Sequence, residues 1–257
     1  MIRTRGIRLG TTLTALSATA IVLSWSSEAG AQEGSFAGNP LVSMVVLGAL
    51  SLLPFLFMTT TSFVKISVVF SILRNALGTG QVPSGLVIAS LSVLLTLYVM
   101  APVGEEISEA AAPAVARVDL NHPLEGESFD AVVQTFRLGL EPMRGFLRRN
   151  AGARETRLFW NLARHVRAPE RRGEVGRDDM LVLLPSFLIT ELTEAFQIGF
   201  LVFIPFLVVD MVVANVLLAL GMHMLSPTTV SLPFKLLLFV LVDGWYLLAR
   251  ALVLGYS

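Results

Sequence analysis

Six ionisable side chains interrupt the apolar stretches of this sequence. They lie where a simple lipid-facing helix would not carry them, because a charge at the centre of a bilayer costs at least about 2.5 kcal/mol. Such groups normally face protein or a water-filled cavity, so the helices that hold them must have protein neighbours. The residues concerned are Lys65, Glu191, Glu194, Asp210, Lys235 and Asp243.

Glu191 and Glu194 form the sharpest pattern among the six. They lie three residues apart on one side of a predicted helix, and two such carboxylates repel each other unless a cation joins them. Lys65 or Lys235, from the same chain or from a neighbouring copy, is the natural partner. We therefore predict a buried belt of salt bridges between subunits. For Lys235 and Asp243, a position at a membrane boundary or in a short interhelical loop explains the charge equally well.

Met222, His223 and Met224 form a second candidate site, because thioether and imidazole groups are soft ligands that suit Cu(I). One triplet is weak evidence, since a copper transporter should repeat such ligands along a path. Neither Met58 nor Met100 belongs to a second cluster. Ordinary packing or pore lining is therefore the favoured interpretation.

The sequence offers no catalytic motif. Its three histidines are His122, His165 and His223, and it contains no zinc-protease, nucleophile-elbow or phosphate-loop pattern. Cysteine is absent, which removes thiolate nucleophiles, disulfides and cysteine-ligated metals together. We expect neither enzymatic activity nor a cofactor.

The amino-acid composition is typical of a membrane protein. Of 257 residues, 54% are apolar and only 15% are charged, whereas soluble domains carry about 25% charged residues. The formal net charge is zero, and no basic run alternates with aromatic residues. No nucleic-acid partner is therefore predicted.

Four apolar blocks must position the charged residues: 41–58, 86–103, 181–221 and 232–254. Each approaches or exceeds the roughly 20 residues that span hydrocarbon as a helix. The third block is about twice that length and contains Pro185 and Pro205, so it is predicted to form two helices. No strand-like alternation appears, and the predicted fold is all-α: an integral membrane protein of helical hairpins with proline-broken helices.

A polar module, residues 104–180, separates the second block from the third and holds 12 of the 19 basic and 13 of the 19 acidic residues. Apolar residues recur at helical steps over 129–147, with Ser128 available as N-cap, and over 155–166, before Pro169. Both patterns predict amphipathic helices.

The first 31 residues have the organisation of a signal peptide. Arg3, Arg5 and Arg8 precede an uncharged stretch, and Ala29-Gly30-Ala31 has the form of a signal-peptidase site. An uncleaved first membrane helix is the alternative. Cleavage would leave the new N-terminus in the periplasm, and two crossings later the 104–180 module would lie there as well.

Three long segments resemble, in order and spacing, the FliP/SctR family of the bacterial type III export apparatus. They are NPLVSMVVLGALSLLPFLFMTTTSFVKISVVFSILRNALGTGQVP, LPSFLITELTEAFQIGFLVFIPFLVVDMVVANVLLALGMHMLSP and TTVSLPFKLLLFVLVDGWYLL. The similarity covers about residues 39–248 and is weakest in the 104–180 module. The segment SFVKISVVFSILRNALGT is closer to the injectisome members of the family, although a cleavable signal peptide is more typical of the flagellar branch.

The resemblance implies a structural and gating subunit of an export channel in the bacterial inner membrane, with much of the assembly on the periplasmic side. It implies five copies, joined by several copies of a FliQ/SctS-like protein and one FliR/SctT-like protein, which together pass unfolded protein substrates. Residues 32–103 would then form an N-terminal helical hairpin, 104–180 the periplasmic module and 181–257 a C-terminal broken-helix hairpin.

The resemblance also implies a methionine-rich pore loop at residues 221–227, in which side chains from the copies close the channel as a gasket. Met222 and Met224 carry over to this chain. Methionine is unbranched and polarizable, so a ring of copies could seal around itself or around a passing chain. His223 interrupts the run and adds a group that could become charged near pH 6.5.

A small-molecule or ion transporter is the alternative from another class, since proline-broken helices and intramembrane charges are typical of transporters. Against it, the two halves of the chain show no internal repeat. A transporter works alone in proteoliposomes, whereas an export-gate subunit is inert without its partners. A purely structural scaffold is a third interpretation, under which pore-loop substitutions leave secretion intact.

Overall fold

The computed structural model of the chain describes residues 40–80, 82–118 and 126–256. The predicted signal peptide, residues 1–31, lies outside these ranges. Contacts divide the chain into two compact units, residues 1–50 and 51–257. The described part of the first unit is the beginning of one helix, and all the charged residues singled out above belong to the second unit.

Helices make up all the regular structure of the described ranges, which confirms the predicted all-α class. A short 3-10 helix, Pro169–Glu174, precedes the longest of them. The α-helices in chain order are α1 (Pro40–Thr60), α2 (Phe63–Leu77), α3 (Gly85–Val115), α4 (Gly126–Asn150), α5 (Ala153–Val166), α6 (Met180–Ala219), α7 (Pro227–Leu241) and α8 (Gly244–Leu254).

Two helices, α3 and α6, are long and apolar enough to cross a membrane. Two bent pairs pass the same test together: residues Ser51–Thr60 with α2, at 76°, and α7 with α8, at 59°. By length and composition, the described residues thus contain two helices that could span a membrane, or up to four spans if each bent pair counts as one. This agrees with the membrane class that composition indicates.

α6 is a single helix of 40 residues, so the prediction of two helices in the third apolar block was wrong. Pro185 and Pro205 lie inside α6, and each removes one backbone donor. Beside the first proline, the Ser186 hydroxyl donates to the Val182 carbonyl at 2.5 Å. α6 also packs along α2, α4, α5 and α7, and such neighbours let a helix continue through proline.

The last apolar block is divided into α7 and α8 at Asp243. Asp243 has a φ of 51°, in the left-handed region that residues with a Cβ rarely adopt. The next position, 244, requires glycine, because the Phe239 ring packs directly on the Gly244 backbone and leaves no room for a Cβ. The bend therefore depends on both neighbouring residues.

α2 lies at the centre of the larger core. α6 approaches it so closely at Gly199 that a Cβ there would overlap the Ile72 side chain. Helices α3, α6, α7 and α8 contribute the side chains that pack around α2. The almost fully buried residues of this core include Ile66, Val69, Phe70, Leu73, Ala195, Phe206, Phe239 and Leu252.

α4 and α5 are the amphipathic helices that the periodicity predicts. α4 includes Gly126, so Ser128 lies inside the helix and the predicted N-cap was wrong. α3 continues to Val115, well past the apolar block that ends at 103, and its last turns run beside α4. A smaller core joins α3, α4 and α6: Val103, Phe146, Leu147, Leu183 and Phe187.

Candidate functional site

Lys65 is the centre of a buried ion-pair cluster between α2 and α6. Its Nζ lies 3.1 Å from Oε1 of Glu191 and 2.6 Å from Oε2 of Glu194. The Lys65 and Glu191 side chains are 2% and 1% exposed, whereas Glu194 remains 46% exposed. Because the two carboxylates lie about one turn apart on α6, one ammonium group relieves their repulsion and joins the two helices.

Tyr256 closes this cluster from the C-terminal end of the described chain. Its hydroxyl donates a hydrogen bond to Oε2 of Glu191, and its ring centroid lies 4.1 Å from Lys65 Nζ, as in a cation–π contact. The ring also stacks on Phe146 of α4, with 6.1 Å between centroids. Burial, and then the negative charge of Glu191, raise the pKa of Tyr256 well above its ordinary range, so the hydroxyl stays protonated and donates.

Thr190 ties the loop between α4 and α5 to α6, next to the buried Glu191. Its hydroxyl accepts a hydrogen bond from the Gly152 backbone N–H at 2.8 Å and donates to the Ser186 carbonyl at 2.8 Å. A Cβ on Gly152 would lie 3.0 Å from that hydroxyl oxygen, so the contact favours glycine. The polar module is therefore anchored beside the ion-pair cluster.

Lys235 is the centre of a second buried cluster, between α7, α6 and the end of α2. Its Nζ lies 2.7 Å from Oδ2 of Asp210 and donates to the Ala76 carbonyl at 3.1 Å. Ser231, about one turn earlier on α7, donates to the other oxygen of Asp210. Lys235 is 3% exposed and Asp210 is 27% exposed. The Ala76 carbonyl belongs to the last turn of α2, where a helix leaves its acceptors without intrahelical partners.

Five of the six predicted charged residues are brought together in these two clusters, and the pairs form within one chain. Lys65 partners Glu191 and Glu194, and Lys235 partners Asp210. Asp243 lies apart, exposed at the bend between α7 and α8, and it forms no ion pair with any described residue. Salt bridges between subunits stay a prediction, because the structure holds one chain.

Met222, His223 and Met224 lie in the turn that joins α6 to α7. Gly221 reverses the chain with a φ of 73°, and the Met222 N–H donates to the Leu217 carbonyl at 2.9 Å. All three side chains are exposed, and Met224 is 98% exposed. Within the described part of the chain, the turn therefore leaves two thioethers and an imidazole accessible at the surface.

These clusters cross-link helices and do not form a metal centre. Within the described ranges, no three histidine, aspartate or glutamate side chains come close enough together to hold a metal ion. Each buried ammonium group already contacts a carboxylate of another helix. The charges are therefore arranged to fix helix positions.

Two partners in the clusters were missed by sequence reasoning. Ser231 lies four residues before Lys235, a spacing that puts both on one face of α7, so helical periodicity could have identified it. Tyr256 gives no such signal, because 65 residues separate it from Glu191. Only the tertiary structure reveals that contact.

Long apolar helices, joined by buried ion pairs and ending in an exposed methionine turn, define a helical membrane protein whose charges serve assembly of its helices. The FliP family matches residues 46–252 of this chain. The match covers well over half of the sequence, and the chain belongs to the FliP family.

Curated relatives extend the same similarity over nearly their whole length. The Yop proteins translocation protein R of Yersinia pestis is 43% identical over 217 residues, which cover 83% of this chain and 95% of the relative. The hypersensitivity response secretion protein HrcR of Ralstonia nicotianae is 41% identical, with 83% and 96% covered. The virulence protein YscR of Salmonella typhimurium is 39% identical, with 87% and 100% covered.

Proposed function

We propose that this chain is the structural and gating subunit of a type III secretion export channel, of the injectisome branch, in the bacterial inner membrane. The observation that carries the proposal is the family match over residues 46–252, with relatives named for translocation, hypersensitivity-response secretion and virulence. The channel passes unfolded protein substrates, and this chain contributes no catalytic step to it.

The proposal includes five copies of the chain together with FliQ/SctS-like and FliR/SctT-like membrane proteins. Exposed apolar surface supports a multi-subunit assembly. α6 presents large side chains along its outer side, and α3 does the same over its first turns. Lipid or neighbouring subunits must cover these surfaces. Strongly exposed examples are Leu86, Leu94, Tyr98, Phe196, Phe200 and Leu201.

The orientation of the ion pairs supports the proposed salt bridges between subunits. In both clusters the lysine is buried, while Glu194 and Asp210 keep part of their surface exposed. A cation from a neighbouring copy could therefore approach these carboxylates, and Asp243 in the same way. Arg74 and Arg250 are suitable donors, because neither forms an ion pair with a described residue of its own chain.

The methionine turn is the proposed gasket. Met224 is almost fully exposed and Met222 is partly exposed, so both side chains are available to copies that meet around an axis. Five flexible thioether side chains could close a narrow pore without a fixed shape. His223 would add a ring of imidazoles at the same level.

Purification from membranes tests the proposal. The chain would be co-expressed with its two small partner proteins, extracted in mild detergent and weighed by native mass spectrometry. We expect a core of five copies that retains both partners, while the chain alone transports nothing in proteoliposomes. A monomer under every condition, or solute transport by the chain alone, would contradict the proposal.

A further inference from the structure

The outward face of α5 is an apolar edge that no described part of the chain covers. The inner side of α5 packs on α6, with Phe159 and Trp160 partly buried. Leu158, Leu162 and Val166 point the other way and are 52%, 48% and 86% exposed. They follow one another at four-residue steps and therefore form one stripe along the helix. A stripe of this kind, at the margin of an otherwise polar module, indicates a protein contact.

Arginines flank this stripe and give the α5 face a positive charge. Arg154, Arg157 and Arg164 are exposed, and none forms an ion pair with a described residue. The Arg164 guanidinium lies over the Trp160 ring at 4.8 Å, which holds it beside the stripe. Over residues 148–179, nine arginines accompany only five carboxylates. A partner for this face should be acidic as well as apolar.

The last turns of α3 provide such a face. Glu105, Glu106 and Glu109 are exposed there and form no ion pair with a described residue. Exposed Leu97 and Tyr98 lie on the turns just before them. Over residues 104–141, eight carboxylates accompany only two arginines, the reverse of the balance in the following segment. One chain thus carries two unpaired surfaces of opposite charge, each next to exposed apolar side chains.

We propose that the α5 face of one copy docks on the acidic α3 face of the next copy. Every copy carries both faces, so the contact is head-to-tail and repeats until a ring closes. The inference rests on the proposed function, which requires several copies, and it adds which surfaces meet. Apolar burial supplies affinity, and the opposite charges set the register. An anionic membrane surface would satisfy the arginines but would leave the α3 carboxylates unpaired.

Disulfide trapping tests this contact directly, because the chain contains no cysteine of its own. The full chain would carry Leu162→Cys and Glu109→Cys and be oxidised in membranes with its partner proteins present. We expect a ladder of linked chains up to the size of the closed ring. The matched control pairs Leu162→Cys with Asp130→Cys, an exposed carboxylate of α4, and should stay at the monomer position.

A charge exchange in the same cysteine-bearing chain separates this contact from other arrangements. Arg154→Glu with Arg157→Glu should abolish the ladder, and so should Glu105→Arg with Glu106→Arg. All four changes together should restore it, because both faces of every copy are then reversed. Complexes of native size that give no ladder would overturn the docking and leave the proposed function standing. Chains that remain monomeric in membranes would overturn both the docking and the proposed function. If the double variants lose the ladder and the fourfold variant does not restore it, the docking is overturned and the arginines contact lipid instead.

Discussion

Lys65 and Lys235 each place an ammonium group where water hardly reaches and where two helices meet. The partner of Lys65 is a pair of carboxylates on one helix, whereas Lys235 divides its hydrogen bonds between a carboxylate and a helix-terminal carbonyl. Burying a charge is costly, so neither arrangement is a large net gain over apolar packing. The consequence is asymmetric: removal of one partner leaves the other charge buried and unpaired.

Lys65→Met tests that asymmetry. We expect a loss of roughly 3 to 5 kcal/mol in the free energy of unfolding, because the change strands Glu191 in a buried site. Thermal unfolding in detergent measures it. Arg144→Met is the control, since Arg144 pairs with Glu141 at the surface and such pairs contribute about 0 to 1 kcal/mol. Equal melting temperatures for the two variants would show that Glu191 is not held as a buried anion.

Tyr256→Phe removes one hydroxyl and keeps the ring. We expect a loss of about 1 to 3 kcal/mol, because one oxygen of the buried Glu191 carboxylate loses its hydrogen-bond donor. The pKa of Tyr256 is raised in the folded protein, so its neutral form is favoured there and the contribution is fully present below pH ~10, the ordinary tyrosine pKa. Above that pH the difference between wild type and Tyr256→Phe should shrink. Tyr246→Phe, at an exposed site, should change nothing.

α6 is the element on which both clusters depend. At about 1.5 Å per residue its 40 residues extend about 60 Å, twice the hydrocarbon thickness of a bilayer. A large part of α6 must therefore lie outside the hydrocarbon, against protein or water. The Lys65 cluster lies in the first half of α6 and the Lys235 cluster in the second. The two charge clusters thus fix α6 at different depths.

Gly199 is where α6 comes closest to α2, and its substitution tests that packing. Gly199→Ala should destabilise the protein by about 1 to 3 kcal/mol, because the added methyl group overlaps Ile72. Gly104→Ala is the matched control within α3: nothing lies within 4 Å of its Cβ position. That change should stabilise the helix by about 0.5 to 1 kcal/mol. Thermal unfolding of both variants in the same detergent measures these changes in stability. If Gly199→Ala stabilised the protein as Gly104→Ala should, helix propensity would outweigh the overlap with Ile72.

The whole molecule matters for the methionine turn, because one copy cannot close a pore. The turn is shaped by Gly221 and by several backbone hydrogen bonds, and it leaves the Met222 and Met224 side chains 44% and 98% exposed. Their role therefore depends on the symmetry of the proposed assembly. A gasket acts only where several copies converge.

Met222→Ser with Met224→Ser tests the gasket in the assembled complex. We expect the closed channel to conduct ions, because small polar side chains cannot seal the pore as thioethers do. Conductance of the purified complex in planar bilayers measures the leak. Met211→Ser, at a methionine that is 58% exposed on the side of α6, is the control and should leave the channel closed. A tight double variant would assign closure to other residues.

The local sequence pattern by itself determined the fold class, the amphipathic helices and the need of the buried charges for partners. Periodicity and composition indicated an all-α membrane protein with two amphipathic helices in a polar module, and α4 and α5 follow those patterns closely. Residue type alone showed that the charges in the apolar blocks need partners, because stranded charge in hydrocarbon is costly. The three long motifs indicated the FliP family, to which the chain belongs.

Only the tertiary structure decided which partner each charge has. Lys65 pairs with Glu191 and Glu194, and Lys235 pairs with Asp210. By charge alone, either lysine could have paired with the two glutamates. The tertiary structure also decided that α6 runs through two prolines and that Tyr256 covers Glu191. Sequence periodicity reports which face of one helix is apolar. The choice of partner across many residues depends on how the helices pack, and that is a property of the folded chain.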